Sequence, residues 1–299
     1  MNSIKEHPKV LLVGNGINRA YNLFSWEDFI GKIQTRKLTQ EEIKCLKKVP
    51  YPLQPVILTE DNINEKMKEI AEHLCSSKPV DGEIALIQQM VSLPMEAILT
   101  TNYTYEIENA ICREFECKVG RSSKYRKKMP LSSGNYEMKQ LHTYFLADKD
   151  SPPVWHIHGE SAKPDTMVLG HYYYGKLLAK IQQYVSKLIA RYNSCISKEQ
   201  EFNFHSWVDY FLLCDVYIVG LGMELSEMDL WWLVNCKKRH FSDRKTVLYK
   251  PDIKKEEELL AEAYGVKVIR EGLKGEKYKN YYKWVFEDIG KCENYYNKR

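Results

Sequence analysis

Four short clusters in this sequence carry residue types that can do chemistry. Gly14-Asn15-Gly16-Ile17-Asn18 follows the apolar run Val10 to Val13. A glycine turn after such a strand brings backbone amides near an anion, and a helix starting there adds its dipole; the plain alternative is an ordinary strand-to-helix turn. The third glycine of G-x-G-x-x-G is missing, because Arg19 stands there, and no Gly-Lys-Ser/Thr follows to make a Walker loop. Asn102, closing Ala97 to Thr101, offers an amide that can hold a sugar hydroxyl or a water, or can cap a helix from Tyr103 onward. His156 and His158 alternate within Val154 to Gly159, which places both on one face of a strand. They read as a metal pair needing further ligands such as His142 or His171, as a general base near neutral pH, or as packed histidines. Gly220-Leu221-Gly222 repeats the strand-to-glycine pattern after Val216 to Val219, with Ser226 and Asp229 just beyond.

These clusters need elements to position them. Strands are expected at 10–13, 97–101, 154–159, 166–169, 216–219, 246–249 and 266–269. Helices are expected over 39–48, 61–77, 82–91, 105–115, two segments within 173–213, 226–238, 254–263 and 277–290, with a start capped by Ser25. Strands alternating with helices predict an α/β fold, a Rossmann-like parallel sheet with helices on both faces and a helical insertion at about 25–95. Ligands of such sheets sit at the carboxyl ends of the strands, where all four clusters fall. The polar stretch at about 118–150 is expected to be a lid or an insertion. Its basic run, Arg121 to Lys128, reads as solvated surface, and Ser132 to Asn135 as a loop. The Tyr172-Tyr173-Tyr174 and Trp231-Trp232 clusters read as core or subunit interface.

Composition narrows the function. The 299 residues carry 44 Lys+Arg against 40 Asp+Glu, so a net charge of +4 gives no electrostatic footprint for nucleic acid. No apolar run is long enough to span a bilayer, and Met1 to Pro8 lacks the apolar core of a secretory signal, so no membrane association is expected and the cytoplasm is the expected location. The eight cysteines are scattered with no C-x-x-C, so packed, reduced thiols are expected rather than disulfides or a zinc ribbon.

In order and spacing, Gly14-Asn15-Gly16-Ile17-Asn18, Thr100-Thr101-Asn102-Tyr103, His156-Ile157-His158-Gly159 and Gly220-Leu221-Gly222 with Ser226 and Asp229 resemble the sirtuin-like (Sir2-like) family. Within it they resemble the NAD-consuming branch found in bacterial defence proteins such as the Thoeris type, over most of the chain. The resemblance implies one sirtuin-like NAD-binding domain over 1–299, with His158 as catalytic base and Asn102 orienting the ribose and an attacking water. It implies that Gly14, Asn15, Gly16, Ile17, Asn18, Thr101, Tyr103, Gly220, Gly222 and Ser226 line the cofactor. The departures are Asn15 for Ala and Asn18 for Ser in the loop, Thr104 for the Asp of T-T-N-Y-D, and Gly222 for the late Ser. NAD is then substrate, and no metal or zinc is expected, because the close Cys pairs of the deacylases are missing. The implied activity is an NAD glycohydrolase (NADase, a hydrolase) releasing nicotinamide and ADP-ribose in antiviral defence. The alternatives are a sensor of NAD or an ADP-ribose derivative and an NAD-dependent deacylase. A homo-oligomer or an activating partner encoded elsewhere would supply the trigger.

Overall fold

The computed structural model describes residues 7–21, 26–59, 63–75, 81–112, 122–129, 139–271 and 277–294. Six strands are mutually parallel: β1 (Lys9–Val13), β2 (Ala97–Thr100), β5 (Val154–His156), β6 (Asp215–Val219), β7 (Thr246–Tyr249) and β8 (Val266–Ile269). Their order across the sheet is β5-β2-β1-β6-β7-β8. Counted among themselves, that is the 3-2-1-4-5-6 order of a doubly wound dinucleotide-binding fold, whose switch point lies between β1 and β6. Two short strands, β3 (Arg126–Lys128) and β4 (Thr143–Phe145), continue the sheet antiparallel beyond β5. The α/β fold expected from the sequence is therefore the one formed.

The central strands are buried on both faces, which is why they read as unbroken apolar runs. Val10, Leu12, Leu99, Trp155 and Ile218 point into one core with α9 (His171–Ser197), α10 (Trp207–Leu213) and α11 (Met228–His240). Leu11, Val13, Ile98, Val154 and Val219 point into the other, with α6 (Asp81–Val91), α7 (Glu106–Cys112) and α13 (Lys277–Asn294). Between β1 and β2 run α1 (Gly16–Arg19), α2 (Trp26–Ile33), α3 (Gln40–Leu46), α4 (Gln54–Thr59), α5 (Ile63–Cys75) and α6, so the regular elements of this stretch are helices among its described residues. Phe29, Ile33, Leu58, Met67 and Ile70 from it form a third cluster with Met167 and Leu169, against which Tyr103 packs. The helical stretch thereby covers the carboxyl ends of β2 and β5. The remaining helices are α8 (Lys139–His142) before β4 and α12 (Lys255–Ala263) between β7 and β8.

Several expectations fail. Residues 166–169 are not a strand: Pro164–Thr166 forms a 3-10 turn, and the Val168 amide reaches only the His158 carbonyl at 2.7 Å. The two helical segments expected within 173–213, broken near Asn193 to Lys198, form as α9 and α10, but α9 starts two residues earlier and ends only at Ser197, so the break falls later, at 198–206. Within the polar stretch 118–150, β3 and β4 pair with the sheet, and Arg126 is no solvated surface residue, because its guanidinium bonds Glu160. Cys45 is exposed and Cys112, Cys195 and Cys236 are half-buried; only Cys214 among these free thiols is buried as expected. Trp231 is core as expected, and Tyr172, expected in core or subunit interface, is exposed on the single chain and so is not core. Ser25, Arg121, Phe115, Cys117 and Ser132 to Asn135 lie outside the described residues. Among the described residues, no helix is long and apolar enough to cross a membrane.

Candidate functional site

The four clusters converge because four neighbouring strands end together. Val13 pairs in register with Thr100 and with Val219, and Thr100 pairs with His156. Gly14–Asn18, Thr101–Tyr103, His158 and Gly220–Gly222 thus follow the carboxyl ends of β1, β2, β5 and β6. At the switch point the two glycine turns lock together. The Gly14 amide donates to Val219 O at 3.0 Å and the Gly16 amide to Gly220 O at 2.7 Å. A Cβ on Gly16 would lie 2.7 Å from Gly220 Cα and 2.3 Å from Tyr282 Oη, so these turns approach more closely than any side chain allows. Both amides are spent within the protein, and α1 is only four residues long. The two glycines therefore serve close approach, and the phosphate cradle expected of their amides is not formed by them. Asn15 caps α1 without a side-chain cap bond, while Ile17 and Asn18 are buried, Ile17 in the apolar core.

Asn102 is not the helix cap, since α7 begins four residues later at Glu106. Its amide N–H donates to Thr100 Oγ1 at 3.1 Å and its carbonyl accepts from His156 Nδ1 at 2.7 Å. Among the described residues its side-chain amide makes no hydrogen bond, so the group that could meet a ligand is the one the fold leaves uncommitted. Thr101 donates its amide to Val13 O at 3.1 Å. The Tyr103 hydroxyl donates to Val168 O at 2.8 Å, and its ring lies 6.1 Å from that of Phe29.

The strand carrying the two histidines ends at His156, and His158 lies in the turn beyond it. The expectation that both share one face is corrected accordingly. His156 turns toward α7, where Nε2 meets Glu108 Oε1 at 2.7 Å. His158 turns to the other side of the sheet, with Nε2 at 2.9 Å from Asp229 Oδ2 and its ring edge-on to Tyr174 at 5.3 Å. The pair therefore does not chelate a metal. Gly159 makes the turn: its φ is +89°, and a Cβ there would stand 2.1 Å from Thr166 O.

His158 is 2 % exposed and Asp229 fully buried. Burial alone would lower the pKa of His158, but the charge and hydrogen bond of Asp229, helped by Glu227, raise it above its ordinary value. Glu227 sits at the start of α11, where burial and the charge of Asp229 push its carboxyl up to about 7 against the pull of His158. The Tyr174 hydroxyl is 3.5 Å from Glu227 Oε2. His158, Glu227 and Asp229 have ligand-type atoms within 4.8 Å of one another; His158 Nε2 and Asp229 Oδ2 bond each other, while Asp229 Oδ1 is buried without a hydrogen-bond partner. Met223, in the left-handed region at φ 48°, is buried in the turn between β6 and α11. Gly222 is exposed with its carbonyl accepting from Lys250 Nζ at 2.7 Å, and the Ser226 carbonyl accepts from the Met228 amide at 2.8 Å.

Sequence reasoning missed Glu108 and Glu227 and placed Asp229 only within the motif on the adenosine side. The available signal was a carboxylate in the first turn of each helix that leaves a strand end, which reads by itself as favourable placement at a helix start.

A buried histidine–carboxylate pair and an uncommitted asparagine amide, at the carboxyl ends of the strands beside the switch point of a doubly wound sheet, define a nucleotide-binding α/β protein with acid–base capacity. The chain belongs to the SIR2-like domain family, whose model matches residues 96–269. That membership supports a function related to NAD. One solved structure, titled as the crystal structure of a Sir2 homolog–NAD complex, aligns over 97% of this chain and 90% of its own, at 11% identity. Its TM-score of 0.39 is too low to carry an argument. No curated protein matches the chain.

Proposed function

We propose that this protein is an NAD glycohydrolase that releases nicotinamide and ADP-ribose, and that it serves as an anti-phage effector depleting cellular NAD. The observation that carries the reading is His158 held by buried Asp229, one strand from the uncommitted amide of Asn102, in a SIR2-like domain. The bond between ribose C1′ and the nicotinamide nitrogen breaks through an oxocarbenium-like state, and the bonding electrons leave with nicotinamide. Asn102 orients the ribose and a water. The water oxygen bonds to C1′, and its proton passes to His158. Asp229 holds Nε2, while Nδ1 has no hydrogen-bond partner among the described residues, so Nδ1 is the nitrogen that receives the proton. Because Asp229 raises the pKa of His158, the base form is scarce at low pH, and turnover rises as pH climbs through that pKa.

The reaction at C1′ requires water as acceptor, and the lack of close Cys pairs in the sequence favours hydrolysis over deacylation. NAD is the substrate, and a second copy or an activator encoded elsewhere supplies the trigger. Incubation with NAD, followed by chromatography of nicotinamide and ADP-ribose beside His158→Ala and Asn102→Ala, tests the reading. Release lost in both folded variants supports it, and full activity in either removes that assignment. One observation favours a second reading, a sensor that binds NAD or an ADP-ribose derivative without turnover: His158 is almost wholly covered and its Nε2 is occupied. Saturable NAD binding with no nicotinamide release under any activating condition would favour the sensor.

A further inference from the structure

We propose that His156 and Glu108 form a positioning pair that fixes the peptide carrying Asn102. The proposal deepens the NAD-cleaving reading above and rests on it for its catalytic consequence. The Asn102 peptide is held from both sides. Its N–H donates to Thr100 Oγ1, and that hydroxyl donates to Val13 O at 3.1 Å. Its carbonyl accepts from His156 Nδ1, whose other nitrogen faces Glu108 Oε1, each at 2.7 Å. Glu108 is fully buried, and its second oxygen has no hydrogen bond. A fully buried carboxylate whose one hydrogen bond is to this imidazole is the element that orients the ring.

The ring has acceptors on both sides, a carbonyl and a carboxylate. Against an ionised Glu108, a neutral imidazole carries a single N–H and would set a lone pair against one of them, whereas the doubly protonated ring satisfies both. The charges around it agree. Glu108 and Glu106 face it from α7, Glu160 from the turn after β5, and the Tyr105 ring meets its edge at 5.2 Å. Arg126 and the Tyr105 hydroxyl both bond Glu160 on its far side. Burial pulls the pKa of His156 down, but Glu108, Glu160 and the Asn102 carbonyl raise it to about 9. His156 is thus charged below about pH 9, and losing that charge removes one of the two donors that tie it to Glu108 and to the Asn102 carbonyl.

The test compares two near-isosteric variants. His156→Asn places an amide donor where Nδ1 stands and keeps the bond to the Asn102 carbonyl. His156→Gln places its donor where Nε2 stands, keeps Glu108 partnered and loses the carbonyl. Positioning predicts that kcat for nicotinamide release falls about 100-fold in His156→Gln, the scale of a catalytic group displaced by an ångström. It predicts a loss of about tenfold or less in His156→Asn, with KM little changed, and a decline of wild-type kcat above pH 9 that His156→Asn lacks. A purely structural role predicts the reverse order, because Gln preserves the buried carboxylate's partner, and that order overturns the proposal. Nitrogen-15 NMR of histidine-labelled protein, assigned with His156→Asn, reads the pair without turnover. Both ring protons on His156 at pH 7 are expected, and a neutral ring there overturns the proposal. Should wild type release no nicotinamide, the NAD-cleaving reading fails alone. NAD affinity kept in His156→Asn and lost in His156→Gln still supports the pair, and equal affinities overturn it.

Discussion

Two histidines stand two residues apart at the end of β5, and each meets a fully buried carboxylate, yet they lie on opposite sides of the sheet. On the α7 side, His156 has both nitrogens engaged and one of them grips backbone. On the α11 side, His158 has one nitrogen engaged and one left over. The difference teaches how a strand end divides labour. A ring with no spare atom can hold a neighbour but cannot accept a proton, whereas a ring clamped at a single nitrogen is aimed and still reactive.

The sharpest way to break this contrast is to remove the spare atom. His158→Ala is expected to lower nicotinamide release by about 10²–10⁴-fold with circular dichroism unchanged, the usual span for a lost general base. A residual rate near wild type would make the two histidines equivalent. Next come the carboxylates. Asp229→Ala and Glu108→Ala each leave a buried imidazole without its carboxylate, which costs about 3–5 kcal/mol of stability by urea unfolding. A loss below about 1 kcal/mol at either would show that its pair is not a buried ion pair.

The pH dependence of stability separates the sides further. The pKa of His156 is raised from 6.5 to about 9 on folding, so its contribution is complete below about 6.5 and is lost as pH rises through about 9. Wild type should lose on the order of 3 kcal/mol relative to His156→Asn between these limits. A constant gap between their urea midpoints would refute the assignment. Gly159→Ala, which forces a Cβ against Thr166 O at positive φ, is expected to cost about 1–3 kcal/mol and to displace His158 rather than His156. The smallest effect belongs far from both. Thr39 and Glu42 form a capping box at the start of α3, so Thr39→Ala should cost about 1 kcal/mol in thermal or urea unfolding and leave turnover unchanged.

Much of this was legible in the sequence because the parallel strands are buried on both faces and announce themselves as apolar runs ending in glycine or asparagine. Val10 to Val13, Ala97 to Thr100 and Val216 to Val219 are of that kind, and the rule that ligands sit at strand ends then gathered the four clusters. The partners were not legible. Glu108 and Asp229 are contributed by helices 48 residues before His156 and 71 residues after His158, and only the strand order brings them near. The faces of the two histidines were misjudged because strict alternation holds only while the strand lasts, and β5 stops at His156. Residues 166–169 look like a strand by composition, but Met167 and Leu169 are buried in the third apolar cluster and Val168 in the core beneath α9 to α11, not against a sheet partner. Arg126 misled for a related reason: the basic residues beside it, Lys124, Lys127 and Lys128, are exposed, and Glu160 lies 34 residues away.

The glycine seam at the switch point carries a consequence for biosynthesis. β1 is synthesised well before β6, yet it sits between β2 and β6 with its turn against Tyr282. The first turn therefore waits, flanked on one side only, until Asp215 to Val219 and then α13 have been made. The order of the strands thus keeps the switch point open until the segments that close it have followed.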